Sequence, residues 1–383
     1  MKNLISEIIN HTKKIYKNKE IPMAVHEPVF IGNEKKYLND VIDSTYVSSV
    51  GKYVDEFEKE FSNYTGIKNS ISVVNGTSAL QISLMLAGVE RGNEVITQAL
   101  TFVATANAIS YVGANPVFID VDLDTMGMSP KSLENFLSKN AEIVDGKCIN
   151  KSSGKIISCC MPMHTYGVIC KIHEIIKICD KWGIKVVEDS AEATGSFFNG
   201  NSAGSFGKIS AFSFNGNKII TTGGGGMICT HDDELAKKAK HLTTTAKAKH
   251  NWEFFHDELG YNFRMPNINA ALGLAQLEQI DKFIDNKKDI FLEYESFFKK
   301  KGIKIFNPPK NTNWNYWLIS IILENKNDRN LFLSESHKSK MLVRPIWALM
   351  SKLPMYKNCQ KDELTNSLFY EDRVVNLISS TRL

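Results

Sequence analysis

Past Pro22 the chain alternates between two hydrophobic periods. Val54, Phe57, Phe61 and Tyr64 recur at helical spacing and stop at Gly66, whereas Ser70–Val74 is a short run of strand character. Asn75-Gly76-Thr77 then reads as a turn, and Ser78 to Ala87 as a helix that Gly88 closes. The same alternation predicts a strand at Glu94–Thr97, a helix from Thr101 to Ser110 ending at Gly113, and a strand at Pro116–Asp120. Ser129-Pro130, a capping residue followed by proline, opens a helix to about Leu137. Residues 140–155, with Asp145-Gly146, predict a polar hairpin or loop. A strand at Ile156–Cys160, a helix from Ile172 to Trp182 capped by Gly183, and a strand at Ile184–Glu188 follow. Strands separated by helices in this way predict an α/β domain with a mostly parallel sheet flanked by helices. Such sheets bind ligands at the carboxyl ends of their strands.

Three segments extend this pattern. Leu4, Ile5, Ile8, Ile9 and Ile15 are interleaved with charges before Glu20, which predicts an amphipathic helix rather than the continuous apolar core of a signal peptide. From Asn267 to Lys301 the chain has no proline and places apolar residues at Leu274, Leu277, Ile280, Ile284 and Phe291. One linking helix or two in sequence is expected there, and a continuous one would span about 50 Å. Beyond Pro308-Pro309, Trp314–Leu323 opens a smaller α+β unit. The expected division is an N-terminal helix over 1–22, a large domain over 23–266, and a linking helix with a small C-terminal domain over 267–383.

Composition narrows the class. A chain of 383 residues exceeds what one core usually serves, and 43% hydrophobic with 23% charged residues is ordinary for a globular protein. The 46 basic and 42 acidic residues leave a net charge of +4, too balanced to imply a nucleic-acid or membrane-surface partner. The one basic cluster, Lys237-Lys238-Ala239-Lys240-His241 with Lys247, Lys249 and His250, reads most simply as a solvated helix face and the loop after it. A nucleic-acid-binding regulator is the alternative it leaves outside enzymology. Seven cysteines without a Cys-x-x-Cys pair point to a reducing compartment, and no stretch reaches the roughly 20 apolar residues of a membrane span. A cytoplasmic protein without a metal site is expected.

Candidate chemistry gathers around Lys218, which stands between the apolar run Ile209–Phe214 and the four glycines Gly223–Gly226. This context suits either a snorkelling surface lysine or a partly desolvated amine able to form a Schiff base with a carbonyl. Asp189 follows an interior strand, as a helix N-cap or as a carboxylate in need of a cationic or N–H partner. Gly76, with the hydroxyls of Thr77 and Ser78, makes either an ordinary strand-to-helix turn or an anion cradle. A lysine, an aspartate and a phosphate cradle at one edge of a parallel sheet are the three anchors that pyridoxal phosphate requires. The lysine holds the aldehyde, the aspartate keeps the ring nitrogen protonated, and the turn holds the phosphate. Phe102 would offer the ring an apolar face, and Ser213 a further hydroxyl to the phosphate.

Asn75–Leu80, Thr101–Thr105, Glu188–Ala193, Ser213–Lys218 and Gly260–Arg264 together make the chain resemble the DegT/DnrJ/EryC1/StrS sugar aminotransferases, fold type I enzymes that use pyridoxal 5'-phosphate. The similarity runs in matching order from about Ile21 to the C-terminus. It implies that Lys218 is the Schiff-base lysine and general acid–base, Asp189 the partner of the pyridine nitrogen, and Phe102 the stacking ring. Gly76, Thr77 and Ser213 are implied as phosphate ligands, with Ser78 beside them. Glu192, where many members carry glutamine, is implied near the ring hydroxyl or the substrate. Lysine rather than histidine at 218 implies transamination instead of the dehydration that one branch performs. Asn262 is implied to reach across a two-fold interface to the neighbouring subunit's cofactor, in a homodimer with shared active sites. Phe254, Phe255, Tyr261 and Phe263 concentrate aromatic area beside it, although an asparagine next to glycine also suits a plain turn.

Within that family, Ile21-Pro22, His26-Glu27-Pro28, Gly32–Leu38 and Val47–Lys52 resemble the LegC-like subgroup. This resemblance implies transfer of an amino group, with glutamate as expected donor, to the C4 ketone of a nucleotide-linked 4-keto-6-deoxy-N-acetylhexosamine. A UDP-linked sugar on the way to legionaminic acid or bacillosamine-type surface glycans is the favoured expectation. A GDP-perosamine synthase is the competing one. Tyr316, Trp317 and Arg344 are candidate substrate contacts. Arginine's fork suits a diphosphate, whereas Trp317 reads equally as packing.

Overall fold

The structure is a computed structural model and describes residues 2–17 and 22–383. Met1 and residues 18–21, which include Ile21 of the N-terminal motif and part of the expected 1–22 segment, lie outside the described residues.

A seven-stranded sheet carries the site. Its strands are β1 (Asn69–Val73), β2 (Glu94–Gln98), β3 (Asn115–Ile119), β4 (Ile157–Met161), β5 (Lys185–Asp189), β6 (Ile209–Ser213) and β7 (Gly226–Thr230). They are ordered β1-β7-β6-β5-β4-β2-β3, with β7 antiparallel to both of its neighbours and the remaining pairs parallel. Apolar residues cover both faces, as a mostly parallel sheet requires. Leu80, Ile82 and Ile109 pack on one side with Ile71, Val187 and Ala211, while Phe57, Phe61 and Met265 pack on the other with Phe212 and Met227. Expected and observed elements agree closely here, down to the hairpin of Ala141–Val144 with Lys147–Asn150 and the Ser129 cap.

Strand β7 is the element the hydrophobic pattern does not announce, because its first residue closes the glycine run. Gly226 pairs with both Val73 and Ser213, and a Cβ there would lie 2.6 Å from the Asn75 carbonyl carbon and oxygen. Only glycine lets the three strand ends close up. Asn75, Asp189 and Ser213 thereby come to one edge of the sheet.

The long helical stretch is two helices, Asn267–Leu277 and Ile280–Lys301, with a break at Glu278 and Gln279. The amphipathic helix Lys2–Ile15 lies against Ile280–Lys301 and Lys326–Lys338, burying Ile5 and Ile8 in the same core as Phe298, Phe332 and Val375. That core also takes in a four-stranded sheet of Lys304–Ile305, Ser320–Ile322, Arg344–Pro345 and Val374–Asn376. Among the described residues no helix is long and apolar enough to cross a membrane.

Candidate active site

The sheet edge opens into a cavity of about 270 Å³ lined by Gly76, Thr77, Phe102, Asp189, Glu192, Ser213 and Lys218, with Asn75, Thr105, Met163 and Asn215 among its other walls. Seven residues singled out in the sequence therefore converge on one space. Gly76, Thr77, Phe102, Asp189 and Ser213 are placed by a strand end or helix start, and Glu192 and Lys218 by the turns that follow β5 and β6.

Helix Gly76–Leu86 begins directly after β1. Asn75 is extended, and its Oδ1 accepts the N–H of Ser78 at 2.8 Å, so the cap is made within the turn. At a helix start the N–H groups of Gly76 and Thr77 have no intrahelical acceptor and point outward, with the positive end of the helix dipole behind them. A Cβ on Gly76 would come within 2.8 Å of the Ser213 Cβ. The cradle is therefore as close to β6 as a backbone can approach. Ser78 is buried, and its N–H is already used by Asn75.

Asp189 ends β5 and is buried. Its Oδ2 accepts the Thr105 hydroxyl at 2.7 Å and its Oδ1 the Ala191 N–H at 3.1 Å. Burial pushes this carboxyl above the ordinary range, and Thr105, Ala191 and the charges of Lys218 and His164 oppose the shift without cancelling it. A buried carboxylate so placed fits a cationic partner such as a protonated ring nitrogen. Behind it, His164 Nε2 meets Glu188 Oε2 at 2.9 Å with both side chains fully buried. Burial opposes a charge on His164, but Cys170 and Glu188 outweigh it and raise its pKa.

Lys218 follows the turn after β6, and its side chain is 12% exposed. Nζ lies 3.3 Å from Glu192 Oε1 and 4.1 Å from the centre of the Trp317 ring. Glu192 Oε2 accepts the Tyr166 N–H at 2.8 Å. Burial pushes the Glu192 carboxyl up to about 7, against the pull of Lys218. An amine facing the cavity, a carboxylate for a ring nitrogen and unpaired N–H groups for a phosphate fit pyridoxal phosphate. Phe102, 48% exposed, stands at the start of helix Val103–Tyr111 and forms the outer wall.

Five sequence candidates do not line this cavity, Ser78 and four others. Tyr316 packs on Phe291 and Trp314, and Trp317 stands behind Lys218, only 4% exposed. Arg344 is exposed beside His337. Asn262 is exposed next to Thr244, although its motif bridges to the cradle strand through Val73 and Arg264. Sequence reasoning missed Asn75, whose position before a Gly-Thr-Ser helix start is a capping signal. It also missed Thr105, His164 and Glu188, whose partners lie on other parts of the chain and leave no local signal.

A model of the DegT/DnrJ/EryC1/StrS aminotransferase family matches residues 30–383. The chain is 37% identical to the GDP-perosamine synthase of Escherichia coli O157:H7 over 93% of each chain. It is also 37% identical to that of Vibrio cholerae, over 93% of this chain and 94% of the other. It superposes with a TM-score of 0.82 and 25% identity on Helicobacter pylori PseC, an aminotransferase involved in the biosynthesis of pseudoaminic acid, covering 93% of both chains. The chain belongs to the DegT/DnrJ/EryC1/StrS aminotransferase family and is a sugar aminotransferase that depends on pyridoxal phosphate.

Proposed function

We propose that the protein moves an amino group from glutamate to the C4 ketone of a GDP-linked 4-keto-6-deoxyhexose, with Lys218 as the lysine that carries the cofactor. The observation that carries this reading is the convergence of Lys218, Asp189 and the Gly76 cradle on one small cavity. Two relatives named GDP-perosamine synthase support the guanine nucleotide. This shifts the balance from the UDP-linked N-acetylhexosamine that the N-terminal motifs suggest, which stays as the competing reading.

When bound, the cofactor supplies an electron sink for the carbon that loses or gains the amino group. Gly76, Thr77 and Ser213 would hold its phosphate, Asp189 its ring nitrogen and Phe102 one face of its ring. The chain's own part is largely proton handling. With its amine free, Lys218 Nζ would take the proton from the donor's α-carbon in one half-reaction and would give one to the sugar carbon in the other. Glu192 Oε1 holds the amine in the cavity between these events. One lysine serving both halves implies ping-pong kinetics.

The active unit in this reading is a homodimer in which Asn262 completes the neighbouring cradle. Phe254 and Phe255 are exposed beside it, an aromatic area suited to an interface. Mixed dimers of Lys218→Ala and Asn262→Ala chains should then regain activity, because one of their two sites is wholly wild type. All seven cysteines are free, which suits a reducing cytoplasm.

The test supplies isotopically labelled glutamate with GDP-linked and UDP-linked 4-keto-6-deoxy sugars side by side and follows the label by mass spectrometry. Label in the GDP sugar is the expected result. Faster labelling of the UDP sugar would transfer the substrate assignment to the competing reading, and label in neither would overturn both.

A further inference from the structure

Residues Trp314–Trp317 lie just before the strand Ser320–Ile322, far along the chain from the sheet, yet they are fastened to the floor of the cavity. The Trp314 indole N–H donates to the Tyr166 carbonyl at 2.7 Å. Asn315, fully buried, donates from Nδ2 to the carbonyls of Glu192 and Thr194 at 2.8 and 3.0 Å, and its backbone N–H reaches Ser196 Oγ at 3.1 Å. Tyr316 has φ +53, a left-handed conformation that a bulky aromatic residue adopts only when its surroundings hold it there. The Trp317 N–H closes the turn on Asn315 Oδ1 at 3.0 Å.

This strained turn delivers the Trp317 indole to the turn that carries the lysine. Its N–H donates to the Asn217 carbonyl at 2.6 Å, and its ring face lies 4.1 Å from Lys218 Nζ. The same side chain thus grips the peptide before the lysine and the tip of the lysine. Glu192 Oε1, at 3.3 Å, meets Nζ as a second contact. Asn315 is bonded to the Glu192 carbonyl, so both contacts hang from the one anchored turn.

We propose that Trp317 is a positioning residue for Lys218, holding its amine at the cavity during the part of the cycle in which that amine is not bonded to the cofactor. The inference rests on the reading of Lys218 as the cofactor-bearing lysine. A lysine side chain has four rotatable bonds and is held only by what it touches once it is released. An aromatic face attracts an ammonium without accepting its proton, so it fixes Nζ once the proton has been taken and leaves that proton free to be passed on. Proton transfer between carbon and nitrogen depends steeply on placement. An error of about 1 Å can cost on the order of a hundredfold in rate.

The test compares Trp317→Phe, which keeps a ring face and loses the N–H, with Trp317→Leu, which loses both. In cofactor-loaded protein the maximal rate of the glutamate half-reaction should fall about tenfold in the first and about a hundredfold in the second. Donor half-saturation and cofactor affinity should change far less, and the induced circular dichroism of the bound cofactor should weaken in the same order. A Trp317→Leu protein with a wild-type maximal rate would overturn the proposal. So would one in which rate, donor affinity and cofactor affinity fall in parallel with thermal stability. Should the leucine variant not fold, Trp317→Phe decides alone, and an unchanged maximal rate and dichroism refute the proposal. Borohydride trapping with peptide mapping, run on the wild-type protein, separates the two claims. A cofactor trapped away from Lys218 sinks the functional reading and this inference with it, whereas one trapped on Lys218 leaves the Trp317 result to stand by itself.

Discussion

Two walls of the cavity are built in different ways. The cradle wall is four consecutive residues, Asn75–Ser78, whose cap, glycine and free N–H groups belong to one helix start. The lysine wall is assembled from separated stretches: Tyr166 and Asn315 hold Glu192, while Glu192 and Trp317 hold Lys218. Trp317 is bonded to a residue 100 positions earlier, and Asn315 to one 123 positions earlier. An anion can be gripped by backbone groups that any correctly started helix provides. A reactive amine needs side chains whose placement is fixed by the whole tertiary fold.

The comparison breaks first at Lys218. Lys218→Arg keeps the charge but cannot carry the cofactor through a cycle, and turnover should fall at least about a thousandfold, roughly 4 kcal/mol in barrier. Steady-state assays over long incubations measure it.

Glu192→Gln sharpens the difference by removing one titrating group from the lysine wall. The Glu192 pKa is raised in the folded protein from 4.5 to about 7, so its contribution to stability is fully present below pH 4.5 and is lost as pH rises through about 7. In cofactor-free protein that loss is on the order of 3 kcal/mol. Urea midpoints taken across this window should fall with rising pH more steeply in the wild type than in Glu192→Gln. Parallel curves would contradict the assignment.

On the cradle wall the effects are smaller. Gly76→Ala drives a Cβ against that of Ser213, an overpacking of about 1–3 kcal/mol that should also weaken cofactor binding, as equilibrium dialysis can show. Asn75→Ala removes only the cap on Ser78 N–H and should cost about 1 kcal/mol of stability in denaturant titrations.

The same contrast explains what was legible in the sequence. The parallel sheet is legible because a change of hydrophobic period is a local signal, whereas the cradle, Asp189 and Lys218 each stand out as candidates beside a strand end or glycine and gain weight only in combination. Strand β7 hid behind the glycines that let it pack on Asn75. Thr105 and the His164–Glu188 pair act between separate elements of the fold, so nothing in their own neighbourhoods reveals their partners. Trp317 was a substrate candidate in the sequence, whereas the fold sets it behind the lysine, because the turn at Tyr316 is set by buried bonds to residues 166 and 192–196.

The central claim is that Lys218, among 46 basic residues, is the amine that carries the cofactor. Reducing the cofactor-loaded protein with borohydride and mapping the modified peptide by mass spectrometry tests it most directly. The account predicts one adduct, on Lys218, that disappears in Lys218→Arg. A stoichiometric adduct on any other lysine, or one that persists in the arginine variant, would contradict it.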